Sequence, residues 1–430
     1  MASNEKATEK NENSPVQRRV VITGLGAITP LGHGADGLWM GVRCERSAIG
    51  PLMFFDSSLY ASRCAGEIHD FNPADYLEGK TLKRLDRFAQ FCVAASRQAI
   101  EDSKLNLSAE DPERFGVCIG SALGGVALAE AQHIRFRELG PKSVSPMLAL
   151  HTFVGSGSCN TAIEFGLRGF TSSNADSCAS GAIAMGNAWH TIRRGDADMM
   201  LAGGAEAPLS PLCFGAFSTI HAMSKRNDDP EAACRPFDSD RDGFVMSEGS
   251  AVMVLEERGH ALRRGAKIYA ELAGFASNND AFHMAAPRPD VAASSQCIRM
   301  ALKAANIAPD AIDYIGAHGS ATKLGDNAEI LAIRTALGEE IARKIPLSST
   351  KAMHGHALGA TGAMEAAICL LAMQHGWIPP TLNLDNPDPD CDLDCVPLTG
   401  RPARLNTVLS NSFGFGGLNA ALVFRRDAGV

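Results

Sequence analysis

The residues best suited to chemistry in this 430-residue chain are one cysteine and two histidines. Cys178 stands in Asn174-Ala175-Asp176-Ser177-Cys178-Ala179-Ser180-Gly181, with small and polar neighbours before it. A helical pattern follows at once, through Ile183, Met185 and Trp189 to Arg193-Arg194 and a terminating Gly195. The basic pair suits a helix C-terminus and the glycine a C-cap. Cys178 is therefore expected at the helix N-terminus, where free amides and the helix dipole stabilise a thiolate and lower its pKa. A carboxylate at Asp176 acts in the opposite sense if it points at the sulfur. From this context alone a nucleophile and a buried structural cysteine are equally good readings.

His318 lies in Ala317-His318-Gly319-Ser320-Ala321-Thr322, just beyond the apolar run Tyr314–Ala317, where a side chain can face a cleft. His356 lies in Lys351-Ala352-Met353-His354-Gly355-His356, followed by Gly359 and Gly362, whose lack of side chains predicts close backbone packing. Glu365 falls nine residues later, on the helix that follows. A nucleophilic thiol with two imidazole N–H donors suits acyl transfer. If a malonyl group loses CO₂, the same donors stabilise the enolate oxygen that develops. A metal reading of His354 and His356 lacks a third ligand unless His318 supplies it, and His354 alone reads as structural or solvent-facing. Cys391 and Cys395, four apart in an Asp/Pro-rich loop, have no partners at ligand spacing. Near the end, Asn411-Ser412-Phe413-Gly414-Phe415-Gly416-Gly417-Leu418-Asn419 reads either as a packing turn or as a mobile loop that approaches a substrate closely.

The elements that position these residues alternate. Apolar runs at 19–24, 115–120, 199–204, 251–256, 268–275, 314–317, 408–410 and 420–424 read as strands covered on both faces, the first ending in a turn at Gly24. Helical patterns such as Ala179 to Arg194 and Ala292 to Ala305 separate them. This predicts a layered α/β architecture of two similar halves, divided near residues 256–267. Residues 379–397 read as an ordered surface loop. Gly24-Leu25-Gly26 lacks the third glycine of a dinucleotide fingerprint, and Pro30 interrupts the helix that fingerprint needs.

Composition bounds the rest. With 45% hydrophobic and 20% charged residues the chain is an ordinary globular protein. A net charge of -8 argues against nucleic-acid or membrane-surface partners. Twelve cysteines without close pairing read as free thiols in a reducing, cytoplasmic compartment. No run approaches the ~20 apolar residues of a membrane span. Residues 1–17 are polar, without the apolar region of a signal peptide, and are expected to form a disordered tail.

Taken in order, these residues resemble the β-ketoacyl-acyl-carrier-protein synthase family, and most of all its elongating synthase II type. The resemblance runs from about Arg18 to Phe424. It rests on the cysteine motif at 176–181, Ala-Gly-Gly-Ala-Glu at 202–206, Arg235-Pro236-Phe237-Asp238 with Arg241-Asp242-Gly243-Phe244, His-Gly-Ser at 318–320, Lys-x-x-x-Gly-His at 351–356, and Gly-Phe-Gly-Gly-Leu-Asn at 414–419. It implies a thiolase-like five-layer α-β-α-β-α fold, with a half at 18–262 carrying the cysteine and a half at 263–430 carrying the histidines and the glycine loop. It implies a homodimer, or a heterodimer with a related subunit, that acts on acyl carrier protein and needs no cofactor beyond the carrier's phosphopantetheine. Cys178 would take an acyl chain, and His318 and His356 would assist loss of CO₂ from the malonyl carrier. Lys351 and Glu365 would support them. The amides of Cys178 and Phe415 would form the oxyanion hole, and Ser320 and Thr322 would bind pantetheine. Phe413 and Phe415 would border the substrate, Phe415 as the gate, and Leu123 would line the depth of the acyl pocket.

Several positions depart from the family pattern: Asp176-Ser177 before the cysteine, Ser320-Ala321-Thr322 after the first histidine, Gly155–Cys159, and Ser247 where glycine is usual. The His318–Lys323 stretch also looks like synthases of type II polyketide assembly. A non-catalytic chain-length partner subunit is the alternative, although such partners lack the cysteine. A cysteine hydrolase gives no reason for two histidines.

Overall fold

The computed structural model describes residues 18–79 and 85–427, so the tail expected at 1–17 lies outside the described residues. Ten strands form the body: β1 (Val20–Thr29), β2 (Phe115–Gly120), β3 (Thr171–Asn174), β4 (Met199–Glu206), β5 (Gly249–Glu257), β6 (Ala270–Asn279), β7 (Tyr314–Gly316), β8 (Leu347–Ser348), β9 (Thr407–Gly414) and β10 (Leu418–Arg425). Their spatial order is β8-β7-β9-β10-β6-β1-β5-β4-β2-β3. Read inward from either edge, each set of five follows the same sequence: third, second, fourth, fifth, first.

The directions repeat too. In the first set β2 runs parallel to β3 and β4, while β5 is antiparallel to β4 and β1. In the second set β7 runs parallel to β8 and β9, while β10 is antiparallel to β9 and β6. The two sets meet at β1 and β6 through only Val21 opposite Glu271 and Ile22 opposite Ala270. They are two five-stranded sheets that touch at their inner edges.

Six helices complete the layers: α1 (Arg87–Ser103), α2 (Ser156–Phe165), α3 (Ser180–Arg194), α4 (Ala292–Ala305), α5 (Lys323–Leu337) and α6 (Thr361–His375). Side-chain alternation within the apolar strands sorts the core. Met200 and Ala202 of β4 join a central cluster with α3 and α6, whereas Met199 and Leu201 join an outer cluster with α1. On the other side, Ile315, Leu347, Leu409 and Val423 pack with α4 and α5. The result is helix, sheet, helix, sheet, helix. Of the central pair, α6 is buried on all sides over most of its length, which explains its apolar run, where thirteen residues from Thr361 to Met373 are buried.

One expectation about the strands is corrected. β1 does not end at Gly24; it continues to Thr29. Its glycines serve contact with α1 instead of a turn. A Cβ on Gly24 would stand 2.1 Å from the Ala99 carbonyl oxygen, and one on Gly26 would stand 1.9 Å from that of Ala95. The register shifts between Ile22 and Gly24, and α1 side chains capture nearby amides. Leu25 N–H donates to Asp102 at 2.8 Å and Ala27 N–H to Gln98 at 2.9 Å. The edge strands β3 and β8 also escaped the apolar pattern, because one is Thr-Ser-Ser-Asn and the other only two residues long.

Gly26→Ala is expected to lower stability by about 2 kcal/mol through overpacking against α1, measured as a lower urea midpoint with an unchanged slope.

Candidate active site

Cys178 sits where β3 gives way to the central helix α3. The connection is sharp: Ser177 takes φ +52° and a single 3₁₀ turn, Ser177–Ala179, leads into Ser180. The thiol is buried, with 6% of the residue exposed. His356 Nε2 lies 3.1 Å from Sγ, the Ser177 hydroxyl 3.8 Å away, and the amide of Phe415 reaches the same sulfur. Burial, and to a smaller extent the Glu206 charge, push the thiol above its ordinary pKa; the Ser177 hydroxyl, the Lys351 charge and the Phe415 amide pull it back down in part. This departs from the expectation of a depressed pKa. The helix N-terminus is present, but the sulfur is buried, and desolvation of the thiolate outweighs the donors. Asp176 is half-buried and pushed upward by burial alone.

His318 follows β7, and its backbone is pinned by a buried carboxylate. The amides of His318 and Gly319 donate to the two oxygens of Glu329 at 2.8 and 2.7 Å. His356 is set by a short bridge to the first half: its N–H donates to the Val245 carbonyl at 2.7 Å, and Ser247 N–H donates to its carbonyl at 3.0 Å. The imidazoles stand edge to face, 5.5 Å between ring centroids. Lys351, fully buried, lies behind them and donates to the His318 carbonyl, to Glu365 Oε1 at 2.5 Å, and to His318 Nδ1 at 3.4 Å. An ammonium has donors only. His318 Nδ1 must therefore accept, which leaves the ring hydrogen on Nε2. His356 Nδ1 meets the Thr361 hydroxyl at 2.9 Å.

Burial and the Lys351 charge hold both imidazoles well below the usual histidine pKa, so both are neutral at pH 7. Burial pushes Glu365 up to about 7 against the pull of Lys351.

These groups open onto a cavity of about 540 Å³. Cys178, His318, His356, Ser320, Thr322, Phe413 and Phe415 all line it. The Ser320 and Thr322 hydroxyls are 3.1 Å apart. Phe413 meets His318 edge-on at 6.0 Å, and Phe415 stacks on Phe217 at 6.5 Å. Lys351 and Glu365 stand behind the wall. Leu123 is not brought to it. It packs in the apolar cluster behind Leu358 and Phe244, two residues that do line the cavity. The Gly-Phe-Gly-Gly segment is the turn of the β9–β10 hairpin, with Gly416 at φ +83° and Gly417 at φ +74°.

Sequence reading passed over three groups. Glu329 carries the His318 backbone, and its signal was only its place eleven residues beyond His318 on α5. Glu206 lay inside a quoted motif without a role. Arg241, fully buried, donates to the Asp238 carbonyl and to Asp388, both at 2.7 Å, and to Asn327 at 2.5 Å. His354 is buried, its Nε2 3.1 Å from the Thr350 hydroxyl, and so belongs to the scaffold. Cys391 and Cys395 are buried free thiols. Among the described residues no group of His, Cys, Asp and Glu could hold a metal ion, and no helix is long and apolar enough to cross a membrane.

A buried thiol facing two neutral imidazoles, at the meeting point of two repeated α/β halves, defines an acyltransferase of the thiolase-like fold. Comparison with known proteins agrees. The profile of the beta-ketoacyl synthase N-terminal domain matches residues 17–261, and that of the C-terminal domain matches 269–385. The chain belongs to the beta-ketoacyl synthase family. It is 44% identical over 410 residues to 3-oxoacyl-acyl-carrier-protein synthase 2 of Synechocystis sp., covering 95% of this chain and 98% of the relative. It is 43% identical to the protein of that name from Coxiella burnetii, covering 95% and 99%. A type II polyketide ketosynthase solved in complex with its acyl-carrier protein matches with TM-score 0.89 at 37% identity, covering 96% of this chain and all of that one. A beta-ketoacyl synthase from Burkholderia phymatum matches with TM-score 0.88 at 36% identity, covering 95% and 100%.

Replacing Lys351 by Met removes the cation that depresses both imidazoles. The ¹⁵N shifts of His318 and His356, followed against pH, are expected to show both titrating at higher pH than in the parent protein; unchanged midpoints would contradict the electrostatic account.

Proposed function

We propose that this chain condenses a Cys178-bound acyl group with malonyl-acyl-carrier-protein, releasing CO₂ and a β-ketoacyl-carrier-protein. The observation that carries this reading is the 3.1 Å contact of Cys178 Sγ with His356 Nε2, beside a His318 ring whose Nε2–H is fixed by Lys351. In the first half-reaction the Cys178 thiol gives its proton to His356 Nε2, and sulfur attacks the carrier thioester. The proton then leaves on the released phosphopantetheine thiol. The amides of Cys178 and Phe415 serve the tetrahedral oxyanion, and that of Phe415 already reaches the sulfur. In the second, the malonyl thioester oxygen takes hydrogen bonds from His318 and His356. CO₂ departs, and the resulting carbanion attacks the Cys178 thioester. The thiolate that leaves takes up one proton. The Thr361 hydroxyl suits both halves, because it can accept from or donate to His356 Nδ1. Ser320 and Thr322 hold the pantetheine arm, which is the only prosthetic group the chemistry requires. Lys351 and Glu365 position the histidines, and Phe413 and Phe415 close over the substrate.

The division of labour follows residues 18–262 and 263–430, a boundary supported by the repeated strand order and by its place between β5 and β6. The protein acts in the cytoplasm as a homodimer. The open edge of β3 supports this, as do exposed Leu150, Phe153, Ile163 and Phe170 in the segment leading to it. The intact Cys178 distinguishes the chain from a chain-length partner subunit, the alternative reading. The relatives are named 3-oxoacyl-acyl-carrier-protein synthase 2 and the solved complex is of a type II polyketide ketosynthase; the acyl group accepted decides between fatty-acid and polyketide synthesis.

Cys178→Ala is expected to gain no acyl mass from any acyl-carrier and to condense nothing, while Cys178→Gln still decarboxylates malonyl-carrier. His318→Ala and His356→Ala should each lose about 100-fold or more in decarboxylation, as for removal of an oxyanion donor, and less in acylation. Intact-mass measurement after incubation with acyl-carriers of varied length and unsaturation, with CO₂ release measured in parallel, tests the assignment. A Cys178→Ala variant that still condenses, or histidine variants that lose acylation alone, would overturn it.

A further inference from the structure

Glu206 ends β4 and is fully buried, yet no arginine or lysine partners it among the described residues. Instead it gathers four donors from two separate stretches of chain. Oε1 accepts from the Ser121 hydroxyl at 2.9 Å and from Leu123 N–H at 3.2 Å. Oε2 accepts from Ala122 N–H at 2.6 Å and from Gly359 N–H at 3.0 Å. Residues 121–123 follow β2 in the first half, and Gly359 belongs to the 3₁₀ turn Leu358–Ala360 that opens α6 in the second.

The two stretches meet at backbone distance. A Cβ on Gly359 would lie 2.3 Å from Ala122 N, and one on Gly204 would lie 2.7 Å from the Gly359 carbonyl oxygen. No side chain fits between them, and the carboxylate they share ties them together at that contact. Each stretch also delivers a leucine to the apolar end of the site. Leu358, held at φ +41°, lines the active cavity, and Leu123 packs directly behind it with Phe217 and Phe244. A chain on Cys178 long enough to pass Leu358 runs into Leu123.

We propose that Glu206 is a positioning residue that sets the depth of the acyl pocket, by clamping the Leu123 and Leu358 segments at a fixed separation. It touches neither substrate nor the reacting atoms. It acts on long acyl chains through the two leucines and leaves malonyl decarboxylation, which needs only the histidines, unaffected. The inference rests on the reading of Cys178 as acyl acceptor.

Glu206→Gln tests it. The new amide group is best tolerated facing Ser121, whose hydroxyl can turn to accept, so the loss falls on the Leu123 amide. The variant and the parent protein are compared for acylation by short and long acyl-carriers, with KM and kcat separated, and for malonyl decarboxylation in a Cys178→Gln background. The expected result is a change of about tenfold in KM for long chains, with short-chain KM and decarboxylation within twofold of the parent. Ser121→Ala removes one donor, leaves the carboxylate, and should shift the long-to-short ratio in the same direction by less. If Glu206→Gln does not fold, Ser121→Ala decides alone. An unchanged ratio in a folded variant overturns the proposal, as does an equal loss on short chains, long chains and decarboxylation. A parent protein that takes no acyl chain at all refutes the condensing function itself, a result distinct from both.

Discussion

A buried ammonium organises this site. Lys351 has no exposure, and moving a charge out of water is costly unless partners replace the lost hydration. Its three donors find the Glu365 carboxylate, the His318 carbonyl and the His318 ring, so its donor capacity is used in full. Each contact has a consequence beyond stability. The ring contact fixes a tautomer, the carbonyl contact anchors the end of β7, and the charge adds to burial in keeping two imidazoles neutral where a proton on either would abolish its acceptor role. Lys351 does chemistry only through the groups it touches.

That arrangement requires two chain segments 178 residues apart to meet within hydrogen-bond distance. The layered fold supplies this by stacking the two central helices with their N-terminal ends side by side. Glycine makes the approach possible. A Cβ on Gly181 would stand 2.9 Å from Ala363 N, and one on Gly362 would stand 3.1 Å from Ala182 N. The helices α3 and α6 therefore touch backbone to backbone just beyond Cys178 and His356. Any side chain there would spread the two halves and lengthen the contact between thiol and imidazole.

How much of this could be read from the chain follows from how each feature is encoded. Apolar strands, the helices α3 and α4 and the alternation of elements were legible because burial on both faces leaves long hydrophobic runs. So was the chemical trio, since a cysteine before a helix and a histidine after a strand are local patterns. The strands β3 and β8 were not, because edge strands bury little and carry no apolar signature. Nor were Glu206, Glu329 and Arg241. Their importance lies in backbone groups gathered from distant positions, and a carboxylate that accepts amide hydrogens looks in sequence like any surface glutamate. Leu123, which packs with Leu358 and Phe244 instead of lining the cavity itself, owes its place to tertiary packing that no local pattern reports.

The raised thiol of Cys178 is the point where local reasoning was most misleading, and it bears on how the site works. A helix N-terminus in water would yield a thiolate. Here the sulfur is buried, and the same burial lowers the imidazole beside it, so both members of the pair rest uncharged. A neutral pair costs little to bury, whereas an ion pair in the same place would have to offset two desolvation penalties. In the proposed first half-reaction, charge appears as the proton crosses the 3.1 Å to Nε2 and the sulfur's charge passes to an oxyanion facing backbone amides. In the proposed second, the same burial would strengthen the imidazole donors as an enolate forms between them. Asp176, two residues from the nucleophile, is half-buried, and the same burial pushes its carboxyl above its ordinary pKa, which weakens the opposition a carboxylate there offers to a thiolate.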